Sequence, residues 1–270
     1  MSNRGTAVTT PTTAVLPSWL RWPVFVALVG KLVALFVLRQ HFAAGVTLFF
    51  ASGSVVLYHL FVPGARGLGP VVTRFATPRR EVWLTIDDGP DPEDTPRLLE
   101  LLARHDARAA FFFIGERAAR HPELVAAVLE AGHEVHHHTQ THPVASFWCA
   151  PPAEVAAELD AGLATLQRAG ASPKYFRAPV GIKNLFLQAA LEARDMQCVG
   201  WNLRSHDCIS TSPDAVVARV MRRVEPGAII LMHEGPSVPD RVRIHAIAGL
   251  LERLSAAGYR CVNPPAASLR

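Results

Sequence analysis

Two carboxylates and two histidines in this sequence could together hold a hydrolytic metal ion and supply a catalytic base. Asp87 and Asp88 follow an apolar run and precede Gly-Pro, and His138 and His142 lie about fifty residues further along, four residues apart. Neutral imidazole is the commonest ligand for zinc-like ions, and two histidines with one carboxylate leave coordination positions open for water and substrate. One carboxylate then remains to act as a base. The set therefore predicts metal-assisted hydrolysis.

The local pattern gives the two carboxylates different roles. Residues 82–86 are apolar and β-branched and end at Asp-Asp-Gly-Pro, which predicts a buried strand followed by a turn. Because successive side chains on a strand point to opposite faces, we expect Asp87 and Asp88 to act separately, one binding the metal and the other facing the water. His138 and His142 meet on one side if their segment makes a helical turn. Spacing alone leaves the ligand pair open, because the segment contains three further histidines, His133, His136 and His137.

Five short motifs extend this pattern, at residues 85–89, 138–142, 176–181, 199–208 and 228–234. In order and spacing they resemble the motifs of the NodB-homology polysaccharide deacetylases, carbohydrate esterase family 4. The first motif has Ile86 where the family usually has Phe. The resemblance implies that Asp87 is the catalytic base and that the metal ligands are Asp88, His138 and His142.

The last three motifs imply a supporting set of residues. By the resemblance, Arg177 hydrogen-bonds Asp87 and keeps it ionised, and the backbone N–H of Val180 contributes to an oxyanion hole. Asp207 then orients His233, the general acid, and Leu231 lines the acetyl pocket. Trp201 has two interpretations, a stacking surface for a sugar or a core side chain at a strand end.

Three positions depart from the family pattern. Val180 replaces the usual Tyr, Arg204 replaces a common Asp, and Cys208 replaces a common Trp. A backbone donor survives the change to valine, but side-chain contacts with a sugar are lost. These departures bear on the wall of the groove and on substrate choice more than on the chemistry.

Apolar strand-like runs alternate with amphipathic helical stretches over residues 80–265. The predicted strands are 82–86, 109–114, 134–136, 174–176, 198–201 and 228–232. The predicted helices are 95–104, 122–131, 152–169, 185–193, 214–224 and 241–257. This alternation indicates parallel βα units, and a (β/α) barrel carries its site at the carboxyl ends of its strands. The resemblance implies one α/β domain over residues 80–265, a distorted (β/α) barrel with fewer than the usual eight repeats.

The start of the chain carries a predicted transmembrane segment, residues 18–64. Half of all residues are hydrophobic (50%) and the mean hydropathy is +0.19. The excess lies in residues 22–38, apolar except for Lys31, and in residues 42–62. Each stretch is near the ~20 residues that span a bilayer, and no convincing small-residue cleavage site favours a signal peptide. Residues 1–17 are expected to form a disordered tail and residues 65–79 a linker.

The side of the membrane that the domain faces depends on whether both helices span. If both span, the positive-inside rule places the enzyme in the cytoplasm, because the flanking arginines outnumber Arg39 in the turn. Those flanking residues are Arg4, Arg21, Arg66, Arg74, Arg79 and Arg80. If Lys31 keeps the first helix from spanning, the enzyme faces outward. The hairpin is the favoured arrangement, and four cysteines without a CxxC pattern fit a cytoplasmic site.

The sequence as a whole predicts a membrane-anchored, metal-dependent hydrolase that removes N-acetyl groups from an amino sugar. We expect the ion to be Zn²⁺, with Co²⁺, Ni²⁺ or Mn²⁺ as alternatives. The expected partners are an N-acetylglucosamine-type polysaccharide or lipid-linked glycan, and membrane lipid that suits the flanking arginines. No interleaved basic and aromatic pattern indicates nucleic acid. Two alternatives stay open, an inactive carbohydrate-binding protein of the same fold and a deacylase acting on O-acetyl or formyl groups.

Overall fold

A pair of apolar helices leads into the rest of the fold. The computed structural model describes residues 21–270, so the predicted tail 1–17 and residues 18–20 lie outside the described residues. Helix α1 spans Trp22–Leu38 and helix α2 spans Phe42–Phe61. The sequence places both helices to within one residue, because a long and almost entirely apolar composition is a local signal.

The two helices pack antiparallel and at close range. The Trp22 ring, at the start of α1, contacts the His59 ring near the end of α2, with ring centroids 5.0 Å apart. At the turn, a Cβ added to Gly45 would lie 2.6 Å from the Cα of Leu38. A side chain at this glycine would therefore push the two backbones apart.

Within residues 21–270, eight parallel strands form the sheet. In chain order they are β1 Glu81–Asp87, β2 Ala109–Phe113, β3 Glu134–His137, β4 Tyr175–Phe176, β5 Gln197–Cys198, β6 Leu203–Arg204, β7 Ala228–His233 and β8 Arg260–Cys261. Their spatial order is β5-β4-β3-β2-β1-β7-β6, with β8 pairing with β1. The sheet curls into an open half-barrel, which confirms the predicted distorted (β/α) barrel. Because the paired strands run parallel, their carboxyl ends meet at one edge.

Seven helices follow or cover these strands. They are α3 Asp94–Arg104, α4 Gly115–Arg120, α5 Pro122–Glu130, α6 Pro152–Arg168, α7 Leu187–Glu192, α8 Pro213–Met221 and α9 Arg243–Ala256. Strand β1 lies at the centre and is buried on both faces, which explains its continuous apolar run. Its residues Val82, Leu84 and Ile86 belong to the core shared with α3 and α9, and Trp83 packs with Phe112 on the other face.

Some elements differ from the predicted ones. The predicted strand 198–201 ends at Cys198, because the next residues pair with the chain that follows α2. There Val72 N–H donates to Cys198 O at 2.9 Å and Gly200 N–H donates to Val72 O at 2.8 Å. Strands β6 and β8 and helix α4 are not predicted, since elements of two to six residues are too short to show a period.

Residues 65–79, predicted as a linker, pack on the domain. Val71 and Phe75 are buried. Thr73 N–H donates to Arg270 O at 2.8 Å, and Arg270 N–H donates to Arg74 O at 2.7 Å. The packed unit therefore extends beyond residues 80–265 at both ends.

Candidate active site

Asp87 and Asp88 line the same pocket at the carboxyl edge of the sheet. The expectation that they face opposite sides is wrong in its geometry, because β1 ends at Asp87 and Asp88 has a left-handed φ of 72°. That conformation departs from the alternation of a strand and turns the second carboxylate back toward the first. The pocket has a volume of about 450 Å³.

Asp88 lies against His138 and His142, the two histidines that the family resemblance implies as metal ligands. Its Oδ1 is 3.4 Å from Nε2 of His138 and 3.4 Å from Nε2 of His142. This oxygen is buried and, within the described residues, accepts no hydrogen bond. The three ligand atoms lie within 4.8 Å of one another. A buried oxygen without a donor, facing two imidazole nitrogens, fits a divalent metal ion.

The protein holds these ligands in the protonation states that a metal needs. His138 Nδ1 lies 2.8 Å from the carbonyl oxygen of Arg177, which can only accept, so Nδ1 carries the proton and Nε2 is free. Burial lowers the pKa of His142 to about 4, which keeps its imidazole neutral.

The segment between the two histidines is a turn with left-handed residues, not the predicted helical turn. Thr139 and His142 have φ values of 66° and 57°, and the two ligand rings still converge, with centroids 4.7 Å apart. Glu158 of α6 fixes this turn, because its Oε2 accepts from the backbone N–H groups of Gln140 and Thr141, each at 2.9 Å. The sequence gives no local sign of this contact.

The other histidines of the segment have structural roles. His137 accepts from Thr139 N–H at 2.9 Å through Nδ1 and donates to Leu159 O at 3.0 Å through Nε2. His136 Nε2 lies 3.2 Å from a carboxylate oxygen of Glu134. Burial lowers the pKa of His133 and of His137 to about 4. The geometry therefore selects His138 and His142 from the five candidates.

Arg177 is a buried partner of Asp87. Its Nη1 donates to Asp87 Oδ1 at 2.6 Å and to Thr85 Oγ1 at 2.9 Å. Its Nη2 and Nε donate to the backbone oxygens of Gly200 and Val199 at 3.0 and 3.3 Å. Burial lowers the pKa of Arg177, and the charge and hydrogen bond of Asp87 oppose this effect. The contacts orient the carboxylate and keep its charge compensated.

Replacing Arg177 with methionine is expected to lower the free energy of unfolding by about 3–5 kcal/mol, because it leaves Asp87 buried and unpaired. Urea denaturation followed by circular dichroism measures the loss. Arg79→Met is the matched control, since the Arg79 side chain is 76% exposed and its ion pair with Glu81 contributes at most about 1 kcal/mol. Equal midpoints for the two variants would contradict the buried pair as a source of stability.

Asp207 and His233 form a second pair, and His233 lies beside Asp87 where β7 pairs with β1. His233 Nδ1 lies 2.8 Å from Asp207 Oδ1, and Ser205 Oγ donates to the same oxygen at 2.8 Å. His233 N–H donates to Asp207 Oδ2, also at 2.8 Å. Burial lowers the pKa of His233, but the charge and hydrogen bond of Asp207 exceed that effect and raise the pKa well above its usual value. Asp207 therefore favours the protonated form of the imidazole.

The remaining predicted residues form the walls of the pocket. Leu231 is buried and lines the pocket. Trp201 lines the pocket and also packs against the core cluster that contains Trp83 and Val199, so both of its interpretations stay open. Val180 lines the pocket with a left-handed φ of 48° and a side chain that is 41% exposed. Arg204 and Cys208, two of the departures from the family pattern, also line it.

Glu234 is a buried carboxyl that the sequence does not single out. Its Oε2 accepts from Thr95 Oγ1 at 2.6 Å, and its backbone N–H donates to Asp87 O at 3.1 Å. Its side chain packs against Gly89, where a Cβ would collide with it. Glu234 thus connects the end of β7 to the Asp-Asp turn and to α3. Burial raises its pKa to about 8.

Glu234→Gln is expected to make the protein more stable relative to wild type as pH rises from 5 to 8. The folded pKa, about 8, exceeds the ordinary value of 4.5. Stability from this carboxyl is therefore complete below pH 4.5 and is lost, by up to about 1.4 kcal/mol per pH unit, as pH rises toward 8. Glutamine removes this loss. Unfolding free energies at several pH values test the sign, with the exposed Glu252→Gln as control, and a pH-independent difference would contradict it.

Sequence and structure comparisons relate the chain to carbohydrate deacetylases. The sequence profile of the family described as Polysaccharide deacetylase matches residues 75–199. A chitooligosaccharide deacetylase of Bradyrhizobium sp. (strain ANU 289) is 38% identical over 158 residues, covering 58% of this chain and 71% of that protein. A peptidoglycan-N-acetylglucosamine deacetylase of Bacillus cereus is 34% identical over 185 residues, covering 67% of this chain and 85% of that protein.

A solved structure of the same fold shows that architecture alone does not decide activity. Wild-type BA3943 from Bacillus anthracis, a CE4 family pseudoenzyme, superposes with a TM-score of 0.64 at 26% identity. The match covers 71% of this chain and 66% of that one. Activity must therefore be argued from the residues in the pocket.

Proposed function

We propose that this chain, which belongs to the polysaccharide deacetylase family, is a membrane-anchored, metal-dependent enzyme that removes N-acetyl groups from an amino sugar. Enzymes of this family are hydrolases that act on carbon–nitrogen bonds other than peptide bonds. One observation carries the proposal. Among the described residues, Oδ1 of Asp88 has no hydrogen-bond partner and faces His138 and His142. The same pocket contains Asp87, which accepts a hydrogen bond from Arg177. An inactive carbohydrate-binding protein needs no such convergence.

Asp88, His138 and His142 would hold a divalent ion, which would supply Lewis-acid activation of the acyl carbonyl and of water. Zn²⁺ is our proposed ion, with Co²⁺, Ni²⁺ or Mn²⁺ as alternatives. Asp87 accepts a proton from the attacking water while Arg177 holds the carboxylate in place. The Val180 N–H donates to the oxyanion that forms on the acyl oxygen when water adds to the acyl carbon, and Leu231 contacts the acetyl methyl group.

His233 completes the reaction by protonating the departing amine, so that the amide bond breaks and acetate and a free amino sugar result. Asp207 keeps His233 charged and oriented through its two contacts at 2.8 Å. The proposed base and acid therefore have separate partners. Asp87 is hydrogen-bonded to Arg177, and His233 is hydrogen-bonded to Asp207.

Asp207→Asn is expected to move the alkaline limb of the pH–rate profile toward lower pH by at least about one unit. The Asp207 charge raises the pKa of His233. A neutral amide removes that charge, so His233 loses its proton at a lower pH. Fewer molecules then carry the protonated imidazole, whose general acid catalysis contributes about 10²–10⁴-fold to the rate. The profile of kcat/KM against pH measures the shift, with the exposed Asp214→Asn as control. An unmoved alkaline limb would argue against His233 as the acid.

Membrane attachment rests on the two apolar helices. Helix α2 has 20 residues and a mean hydropathy of 1.6, which by length and composition suffices to cross a bilayer. Helix α1 has 17 residues, about 26 Å of helix, and packs along α2. Lys31 Nζ, its mid-helix charge, donates to Phe49 O at 3.3 Å and lies 3.9 Å from the Phe49 ring centroid. This internal partner lowers the cost of burying Lys31 and supports a spanning hairpin.

A spanning hairpin with arginines on both flanks favours a catalytic domain in the cytoplasm. Protease treatment of intact spheroplasts tests that orientation. Protection of the domain from protease is the expected result, and its cleavage in sealed spheroplasts would place it outside.

Acetate release tests the proposed activity. Purified full-length protein, stripped of metal and reloaded with Zn²⁺, is incubated with N-acetylglucosamine oligosaccharides and with lipid-linked N-acetylglucosamine. Metal-dependent release of acetate is the expected result. Release of formate from N-formyl substrates, or of acetate from O-acetyl esters only, would identify a different acyl group. Tight metal binding with no release from any substrate would sink the proposed reaction.

A further inference from the structure

Exposed hydrophobic side chains surround the mouth of the pocket. In the part of the chain that the structure describes, the large hydrophobic residues exposed beyond residue 62 are Val144, Val180 and Ile209, at 44%, 41% and 77%. All three line the candidate active site, and they come from three separate loops. Apolar side chains gathered on one rim indicate that an apolar ligand or surface binds there. A hydrophilic polymer substrate does not require such a rim.

The same rim is joined to the end of the apolar helix α2. Lys183 N–H donates to Leu60 O at 3.0 Å, and Lys183 Nζ donates to Val62 O and Pro63 O at 2.6 and 3.1 Å. These bonds fix the loop that carries Val180 to the last turn of α2. The pocket wall and the helix end are thus one continuous surface.

A second loop makes the same connection. The Phe61 ring at the end of α2 packs on the Trp148 ring, with centroids 5.4 Å apart. Trp148 belongs to the loop that follows the ligand His142 and carries Val144. If α2 crosses a bilayer, both loops lie at the membrane surface and the pocket opens beside the lipid.

Arg204 adds a positive charge to this apolar rim. Its side chain lines the pocket, with the guanidinium carbon 5.9 Å from the Trp201 ring. Among the described residues no carboxylate lies within ion-pair distance of Arg204, so the charge is free to meet a ligand. A planar guanidinium suits a phosphate group.

We propose that the substrate is an amino sugar joined through phosphate to a lipid chain. The acylated sugar enters the pocket, the phosphate binds Arg204, and the first part of the lipid lies over Val144, Val180 and Ile209. The chain then continues into the bilayer beside α2. This assignment rests on the proposed N-deacetylase function and names the class of carrier on which that function acts.

The test compares four substrates with full-length, zinc-loaded protein in phosphatidylcholine vesicles. They are N-acetylglucosamine linked by phosphate to a polyprenyl chain, the same sugar phosphate without lipid, a long-chain alkyl N-acetylglucosaminide without phosphate, and a soluble N-acetylglucosamine oligosaccharide. Burying even two or three methylene groups on the rim is worth about tenfold or more. We therefore expect kcat/KM for the polyprenyl phosphate substrate to exceed that for the oligosaccharide by at least about tenfold.

Two variants connect this preference to the rim. Ile209→Asn is expected to lower the ratio of the lipid-linked rate to the oligosaccharide rate. Arg204→Gln is expected to lower the ratio of the rate with the phosphate-linked lipid to the rate with the alkyl glycoside. The control Arg222→Gln, at an exposed arginine that directly follows α8 outside the pocket, is expected to leave this ratio unchanged.

The results that would contradict the proposal differ in which part of it they contradict. Equal or better use of the oligosaccharide would overturn the lipid-linked substrate while the N-deacetylase function stands. A preference that neither Ile209→Asn nor Arg204→Gln reduces would overturn the rim as the lipid site. Equal use of the alkyl glycoside and the polyprenyl phosphate would overturn the phosphate contact. Absence of acetate release from all four substrates would remove the proposed function together with the inference built on it.

Discussion

Protein carrying Asp88→Ala is expected to lose its bound divalent ion and at least about 10³-fold in deacetylase activity, since a catalytic metal supplies several kcal/mol of transition-state stabilisation. Asp88 provides the anionic ligand of the proposed site, and its Oδ1 lies 3.4 Å from both imidazole Nε2 atoms. Without it, two neutral histidines are left to hold the ion. Elemental analysis after dialysis gives the zinc content, and acetate release gives the activity.

The Asp88→Ala variant is expected to fold in the absence of metal. Alanine removes a buried oxygen that has no hydrogen-bond donor among the described residues, so no partner is stranded by the change. Asp240→Ala is a matched control, because Asp240 is 89% exposed in its ion pair with Arg243 and lies outside the pocket. Full zinc content in the Asp88 variant would show that the ion binds elsewhere.

The position of the candidate site follows from the sequence because its residues end apolar strands. Asp87 is the last residue of β1, His233 the last of β7, and His138 and Arg177 directly follow β3 and β4. Parallel strands bring their carboxyl ends to one edge, so residues far apart in the chain meet there. Strand periodicity and chain order are enough for this prediction, even where the strand boundaries are wrong by several residues.

The detailed geometry does not follow from the sequence. Asp88, Thr139 and His142 adopt left-handed φ values, and neither Thr139 nor His142 has a glycine or an asparagine beside it in the sequence. The surrounding contacts impose these conformations, for example the backbone hydrogen bonds to Glu158, which lies 17 and 18 residues further along the chain. Periodicity describes which face a residue occupies and carries no information on contacts at this separation.

Glu234 is a second example of a site feature that the local sequence does not predict. It directly follows His233, yet its contact with Thr95 spans 139 residues of sequence. Its raised pKa arises from burial and from the charges of Asp91 and Asp94, and the hydrogen bond from Thr95 only partly opposes them. Only the folded chain brings these groups together. A pattern in the local sequence has no means of marking such a carboxyl as neutral.

Asp87→Asn is expected to lower kcat by about 10²–10⁴-fold while the protein keeps its metal. Asparagine has nearly the same shape as aspartate, but its amide cannot take a proton from water. Arg177 retains three other acceptors, on Thr85, Val199 and Gly200, so the pocket is expected to persist. Zinc content, kcat and the pH–rate profile measured on one preparation distinguish a lost base from a lost site.

The two aspartate variants together separate the proposed roles. Asp88→Ala should lose zinc and activity together, whereas Asp87→Asn should lose activity alone. Full activity of Asp87→Asn with zinc bound would mean that another group takes the proton. Loss of zinc from Asp87→Asn would instead make Asp87 a ligand, a role that its Oδ2, 3.9 Å from His138 Nε2, could reach with a small movement. Because both carboxylates face one pocket, zinc content and kcat must be measured on both variants to decide which carboxylate is the base.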